Sequence, residues 1–131
     1  MKTIKCRTIS KGKATGEAVV SNASISFFGG VDPKTGVVIE RGHPLFNKSI
    51  KGKVLIFTRG KGSTVGSYVL YQLSKNEKAP VAMICKEAEP IVAVGAIMSD
   101  IPMVDKPEVF DFTDGQHITV DGYNGVVIVE D

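Results

Sequence analysis

The feature that most constrains this chain is a continuous apolar run, Val54 to Phe57, followed first by glycines and then by apolar residues at helical spacing. A short run of this kind is typical of a β-strand that is covered on both faces. Beyond the glycines, apolar residues recur every fourth position and predict an amphipathic helix from Ser63 to Leu73. The centre of the chain is therefore predicted to begin with a strand and a helix.

The following segments continue this pattern. Val81 to Cys85 is a second apolar run, and Ile91 to Met98 is apolar on nearly every side, which predicts a short buried helix. Met103 to Val104 is expected to form the strand that follows. The central block is thus predicted to have the order strand, helix, strand, helix, strand.

Strands are also predicted on both sides of this block, at Ile4 to Ile9, Glu17 to Val20, Val37 to Ile39, His117 to Asp121 and Val126 to Val129. The first two are expected to pair as short antiparallel strands, and Asn124-Gly125 predicts a hairpin between the last two. The pattern predicts a β-rich α/β fold, a layered β/β/α sandwich with a mixed sheet. A length of 131 residues predicts one domain, residues 1–131.

Charge and hydropathy argue against two classes of partner. Sixteen basic and fourteen acidic side chains are interspersed, and the chain has no Trp, so no basic surface with stacking residues is expected for nucleic acid. No apolar run approaches the ~18 residues that a membrane span needs. We therefore expect a cytoplasmic protein without nucleic-acid or membrane partners.

Metal-ligating residues are few. Cys6 and Cys85 are far apart and in no CxxC spacing, so both are expected to be buried thiols. His43 is expected in an exposed loop, and His117 is expected to be partly buried at a strand start. With no carboxylate cluster at ligand spacing, no metal site is predicted within this chain.

The segment with the clearest chemical character is Thr58 to Ser67, which reads TRGKGSTVGS and joins the buried strand to the helix. Exposed backbone N–H groups and the helix dipole favour an anion there, and Arg59 and Lys61 add positive charge. The spacing fails the P-loop pattern, and Gly66 falls one place late for a dinucleotide fingerprint. The segment therefore predicts an anion site rather than a nucleotide site.

Ser63 has two interpretations at this point. Its position fits an N-cap serine that accepts a hydrogen bond from the first helical turn. Alternatively, its hydroxyl could lose a proton, because the helix dipole and nearby cations would stabilise the alkoxide. A second irregular loop is predicted at Ile25 to Gly36, where paired glycines and a proline follow a brief apolar run.

Three stretches together resemble the small subunit of the aconitase X family, and the match covers nearly the whole chain. They are ISFFGGVDPKTGVV (residues 25–38), GKGSTVGSYVLYQL (residues 60–73) and KEAEPIVAVGAIMSDIPMVD (residues 86–105). The resemblance implies a swivelling β/β/α domain like the detached small domain of aconitase. It also implies a hydro-lyase that is active only with a large subunit, which would supply the cysteines of a 4Fe-4S cluster.

The resemblance further implies roles for individual residues. Ser63 would be the base that removes the proton from the carbon beside the substrate carboxylate. The substrate-binding residues would be Arg59, Gly60, Lys61, Gly62 and Thr64. The loop that contains Gly29, Gly30 and Asp32 would close over the substrate or the large subunit, although an ordered turn is an equal alternative for Asp32.

The substrate and two other classes of protein are left as alternatives. Archaeal members of the family with separate small subunits dehydrate mevalonate 5-phosphate to trans-anhydromevalonate 5-phosphate, whereas bacterial relatives dehydrate cis-3-hydroxyproline. A phosphohistidine-carrying swivel domain would need a histidine where this chain has Ala88-Glu89-Pro90. A non-catalytic binding subunit would use Ser63 only to cap the helix.

Overall fold

The computed structural model describes residues 1–61 and 65–130. In this part of the chain eight strands and two helices follow one another. They are β1 (Lys2–Lys5), β2 (Arg7–Ser10), β3 (Lys13–Val20), β4 (Val54–Phe57), α1 (Gly66–Lys75), β5 (Ala82–Cys85), α2 (Pro90–Met98), β6 (Met103–Asp105), β7 (His117–Asp121) and β8 (Val126–Val129). The predicted β-rich α/β class and the central strand and helix order are confirmed.

All eight strands form one mixed sheet in the order β1-β8-β7-β3-β4-β5-β6-β2. Strands β3, β4, β5 and β6 are parallel neighbours, and the remaining pairs are antiparallel. The predicted hairpin at Asn124-Gly125 joins β7 to β8, with Gly125 at a φ of +68°. A left-handed conformation of this kind suits glycine in a tight turn.

The two edge strands of this sheet are consecutive in the chain. Only Cys6 separates β1 from β2, so the sheet curls until its two ends meet, and the Cys6 backbone N–H donates to the Gly125 carbonyl at 2.7 Å. The predicted single strand from Ile4 to Ile9 was therefore wrong. It is two strands, and neither pairs with the region Glu17 to Val20, because β1 pairs with β8 and β2 with β6.

Alternating side chains of the central strands enter two different apolar clusters. In β4, Val54 and Ile56 lie in the cluster enclosed by the curled sheet, whereas Leu55 and Phe57 lie in the cluster under the helices. Both faces of β4 are therefore buried, which is the physical reason for its uninterrupted apolar run. Sheet on sheet with helices outside is the predicted β/β/α layering.

The two helices lie against each other at Gly95. A Cβ at this position would come within 2.7 Å of Leu70 Cδ1 and 3.0 Å of the Ser67 Cα atom. Helix α2 agrees with its predicted range, and Pro90 occupies its first turn. Helix α1 begins at Gly66 with Val65 at the N-cap position, three residues later than predicted, and the predicted cap Ser63 lies outside the described residues.

Two sequence predictions about loops and histidines were wrong. Val37 and Val38 form isolated bridges to Ser49 and Val31, not the predicted strand, so the described segment 21–53 is built mainly from turns.

His43 is buried, where its Nδ1 accepts from the Leu45 N–H at 3.0 Å and its Nε2 lies 3.0 Å from the Ser24 carbonyl. These two contacts assign the ring proton to Nε2 and give His43 a structural role.

His117 shows the opposite error, because it is exposed at the start of β7. Its Nδ1 lies 2.9 Å from the Glu130 carboxylate.

Among the residues that the structure describes, no helix is long and apolar enough to cross a membrane.

Candidate functional site

The candidate site lies where the parallel strands end. Arg59, Gly60 and Lys61 follow the carboxyl end of β4, which is the edge of a parallel sheet where ligands commonly bind. The backbone of this segment is held by Ile25. The Ile25 N–H donates to the Arg59 carbonyl at 3.1 Å, and the Lys61 N–H donates to the Ile25 carbonyl at 2.9 Å. These two hydrogen bonds fix the backbone on both sides of Gly60.

Gly60 lies against the start of α2. A Cβ on Gly60 would collide with the Val92 side chain and come within 2.8 Å of the Glu89 carboxylate oxygen Oε1. The loop can follow this path only because residue 60 has no side chain.

The start of α2 already holds an anion from within the protein. The Glu89 carboxylate accepts from the Ile91 N–H at 2.9 Å and from the Val92 N–H at 2.7 Å. By contrast, the sequence from Thr58 to Gln72, which leads into α1, contains no Asp or Glu. The segment before α1 thus carries basic side chains of its own, whereas the start of α2 carries the Glu89 carboxylate, which also lies against Gly60.

The two loops that the sequence singled out meet at Glu40. The Lys61 Nζ atom lies 3.3 Å from Glu40 Oε2, and the other oxygen of Glu40 is 3.3 Å from where a Cβ on Gly30 would be. The Ile39 N–H donates to the Gly30 carbonyl at 2.8 Å, which fixes the residue before Glu40. The structure thus brings Gly30 and Lys61 to one place.

Within the second loop, Asp32 supports the turn that follows it. Its Oδ1 accepts from the Lys34 N–H at 2.9 Å, and its carbonyl accepts from the Gly36 N–H at 2.8 Å. Gly29 has a φ of +81°, and a Cβ on Gly30 would collide with the Ser26 carbonyl. These contacts give the loop a defined shape, and its role at a subunit interface stays a prediction.

The remaining predicted site residues, Gly62, Ser63 and Thr64, lie outside the described residues. Their roles as substrate ligands and base stay predictions. Arg59 is exposed at the same edge of the sheet, so at least two basic side chains border the position where these three residues follow.

Sequence reasoning missed a buried carboxylate at the same edge. Asp105, the last residue of β6, is buried and forms two hydrogen bonds with the Arg7 guanidinium, at 2.8 Å and 2.7 Å. It also accepts from the Ala88 N–H at 2.8 Å. These contacts raise the pKa of Arg7 above its usual value. An Asp directly after a buried apolar strand was the available signal.

Asp105 connects the edge of the sheet to the segment before α2. Its bond to Ala88 fixes the residue next to Glu89, which in turn lies against Gly60. A bidentate pair with arginine is directional as well as strong. Asp105 therefore helps to hold Gly60 in position through Ala88 and Glu89.

The cysteines do not form a metal site. Burial raises the pKa of Cys85 to about 12, and its thiol donates to the carbonyls of Thr58 and Glu87 at 3.3 Å and 3.2 Å. Cys6 is half-buried, and its pKa is raised to about 11, again chiefly by burial. Across residues 1–61 and 65–130, no group of three or more His, Cys, Asp or Glu side chains could hold a metal ion.

An apolar groove of about 370 Å³ borders the candidate loop. It is lined by Phe28, Gly29, Val31, Pro33, Ile39, Val65, Tyr68, Val69 and Gln72. Two of its large side chains are strongly exposed, Phe28 at 53% and Tyr68 at 55%. Exposed apolar surface that is concentrated next to a polar site is typical of a protein interface.

Comparison with known proteins gives the class to which this fold and loop belong. The family model of the aconitase X swivel domain matches residues 3–129. The chain therefore belongs to the aconitase X swivel-domain family.

Two curated relatives match this chain over nearly its full length. The chain is 61% identical over 127 residues to the phosphomevalonate dehydratase small subunit of Methanocella arvoryzae, covering 95% of this chain and 96% of the relative. It is 55% identical over 129 residues to the protein of the same name from Thermococcus kodakarensis, covering 98% and 97%.

The structural matches cover the whole chain. The crystal structure of Thermococcus kodakaraensis aconitase X in its holo-form superimposes with a TM-score of 0.97 at 52% identity and covers 100% of both chains. A solution NMR structure of a UPF0107 protein matches with a TM-score of 0.89 at 43% identity and covers 99% of this chain and 100% of that one. The predicted swivel-domain fold is confirmed.

Proposed function

We propose that this chain is the small subunit of a hydro-lyase that dehydrates mevalonate 5-phosphate to trans-anhydromevalonate 5-phosphate. The observation that carries the proposal is similarity along nearly the full length to relatives named phosphomevalonate dehydratase small subunit, at up to 61% identity. Because this substrate is a charged phosphate that does not cross a bilayer, a cytoplasmic location belongs to the same proposal.

In this proposal the substrate anion binds at the loop that follows β4. Arg59 and Lys61 supply positive charge, and Gly62, which has no side chain, lets the substrate approach the backbone. Gly60 is buried against Val92 and Glu89 and shapes the path of the loop. Thr64 contributes a hydroxyl near the start of α1. The segment from Thr58 to Gln72 has basic and no acidic side chains, which favours an anion, whereas Glu40 at Lys61 and Glu89 at Gly60 oppose it.

Ser63 is proposed as the base that takes the proton from the carbon beside the substrate carboxylate. A serine hydroxyl is a weak base unless its alkoxide is stabilised, and neighbouring cations together with a helix N-terminus provide that stabilisation. Arg59 and Lys61, four and two residues before Ser63 in the sequence, are the cations that support this role.

The loss of the hydroxyl group requires chemistry that this chain does not supply. The sequence contains two cysteines, Cys6 and Cys85, whereas a 4Fe-4S cluster normally needs three or four thiolates, so these residues do not fit such a cluster. We therefore propose that a large subunit carries the cluster, whose iron would act as a Lewis acid on the departing hydroxyl.

The name "small subunit" shared by the relatives implies a large partner. We propose that this partner covers the groove lined by Phe28, Ile39, Val65 and Tyr68. A subunit docked there would lie beside Gly30 and Lys61, so that the site could be completed by both chains. The side chains of Phe28 and Tyr68 would then be buried in the assembly.

The role of Ser63 can be tested with Ser63→Ala in the reconstituted complex. A base predicts that turnover falls by about 10²- to 10⁴-fold while assembly with the large subunit is unchanged. Ser49→Ala is the matched control, because it removes an exposed hydroxyl outside the proposed site. Unchanged turnover with weaker assembly would show instead that Ser63 serves only to shape the interface.

A further inference from the structure

We infer that Glu40 is an internal counter-ion that competes with the substrate for Lys61 and thereby sets the affinity of the site for anions. The inference deepens the proposed function and rests on the proposed role of Lys61 as a substrate ligand. It concerns a residue that neither sequence motifs nor the family resemblance singled out.

Lys61 and Glu40 form an ion pair between the two loops of the candidate site. Lys61 Nζ lies 3.3 Å from Glu40 Oε2, and the two side chains are 49% and 32% exposed. The backbone of Lys61 is held by its hydrogen bond to Ile25, so the ammonium group can change partners while the backbone of residue 61 stays in place. The Lys61 side chain therefore has a carboxylate partner within the chain itself.

The second step is the fixed position of Glu40. Its carbonyl accepts from the His43 N–H at 3.2 Å, and the preceding residue is held by Gly30. His43 is itself buried and bonded to Ser24 and Leu45. Glu40 thus sits on a supported turn, and its charge stays near Lys61 even when the ion pair opens.

The third step is energetic. An exposed pair of this kind is weak, so a phosphate or carboxylate can displace Glu40 from Lys61. The displaced carboxylate still repels the bound anion at short range. Both effects lower the affinity of the loop for anions, and both disappear when Glu40 loses its charge.

Glu40→Gln tests the inference, because glutamine keeps the size of the side chain and removes the charge. We expect the KM for mevalonate 5-phosphate and the inhibition constant of inorganic phosphate in the reconstituted complex to fall about two- to fivefold. The difference should shrink as salt is added, since exposed charges are screened. A change that acted only through stability would not follow salt in this way.

Glu17→Gln is the matched control. Glu17 Oε1 pairs with Lys53 Nζ at the same distance, 3.3 Å, near the opposite end of β4, and its removal changes the net charge equally. This variant should leave both constants unchanged. An equal effect of both variants would indicate a general charge effect and would overturn the inference.

A phosphate titration distinguishes a failure of this inference from a failure of the proposed function. Inorganic phosphate is added to the full chain alone and followed by the NMR signals of Lys61 and its neighbours. Glu40→Gln should bind phosphate more tightly than the wild-type chain even if the complex does not turn over mevalonate 5-phosphate. Equal affinity, including no detectable binding by either chain, overturns the inference, as does a rise in KM in the complex.

Discussion

Gly60 lies where the chain passes between the end of β4 and the start of α2. A methyl group there would collide with Val92 and press on the Glu89 carboxylate that caps α2. At Gly66, six residues later, the nearest atom that an added Cβ would meet among the described residues is Ile91 Cγ2 at 3.8 Å. Packing against the described residues therefore requires glycine at position 60 but would admit a methyl group at position 66.

The two glycines should therefore respond differently to substitution by alanine. Gly60→Ala should lower the free energy of unfolding by about 1–3 kcal/mol, because a well-packed site must shift to admit the methyl group. Gly66→Ala should leave stability unchanged or raise it, since Ala is favoured over Gly in a helix. Urea unfolding of both variants makes the measurement, and an equal effect at the two positions would contradict the packing described here.

The two thiols predict how stability depends on pH. Their pKa values are raised from 9.0 to about 11 at Cys6 and about 12 at Cys85, so the folded state keeps both protons at pH values where the unfolded chain loses them. Their contribution to stability is therefore complete below about pH 9 and is lost as the pH rises through the folded values.

Urea unfolding at about pH 8 and about pH 10 should show this loss in the wild-type chain, and a smaller loss in the double variant Cys6→Ala/Cys85→Ala. The double variant is the control for every other effect of the alkaline pH on stability. If both proteins lose the same stability between the two pH values, the thiols do not contribute in the stated way.

At the scale of elements, the close contact between α1 and α2 depends on Gly95. Ala would favour the helix by about 1 kcal/mol in an exposed position. Here its Cβ would lie 2.7 Å from Leu70 Cδ1 and 3.0 Å from the Ser67 backbone, so we expect the two helices to be pushed apart. Gly95→Ala should lower the free energy of unfolding by about 1–3 kcal/mol. A more stable variant would show that the helices can separate freely.

Elements whose side chains are buried on both faces were predictable from sequence. The runs that became β4 and β5 are apolar because their alternate residues enter different clusters, and the end of β5 was predicted correctly at Cys85. Val37 to Ile39 has a similar composition but makes only isolated bridges within the described segment 21–53. Composition alone does not distinguish a strand from an apolar turn that packs under a helix layer.

Long-range pairing was not predictable in the same way. The break at Cys6, which sends β1 and β2 to opposite edges of the sheet, follows from how the sheet curls and not from local sequence. The pairing of Asp105 with Arg7, 98 residues apart, has the same origin. For the candidate site, sequence placed Arg59, Gly60 and Lys61 correctly at a strand end, but the neighbours Glu40 and Glu89 became visible only in the fold.

At the scale of the whole molecule, the exposed apolar groove predicts where assembly with a large subunit can be weakened. Phe28→Ser combined with Tyr68→Ser should weaken assembly by at least about tenfold, because large aromatic side chains commonly dominate interface energies. Their exposure of 53% and 55% predicts little change in the stability of the free chain. Binding can be measured by calorimetry with the purified large subunit.

Tyr123→Ser is the matched control for this experiment. Tyr123 is 68% exposed and lies in the turn between β7 and β8, away from the groove. Its removal should not alter assembly. If it weakens assembly as strongly as the groove variant does, the large subunit docks on a different face from the one proposed.

We propose that this chain forms an active dehydratase for mevalonate 5-phosphate only together with a large subunit. The most direct test is an anaerobic assay of the chain with its large subunit and reconstituted cluster, with each subunit alone as a control. We expect trans-anhydromevalonate 5-phosphate to form in the mixture and in neither control. Turnover by one subunit alone, or a complex that ignores this substrate and dehydrates cis-3-hydroxyproline, would contradict it.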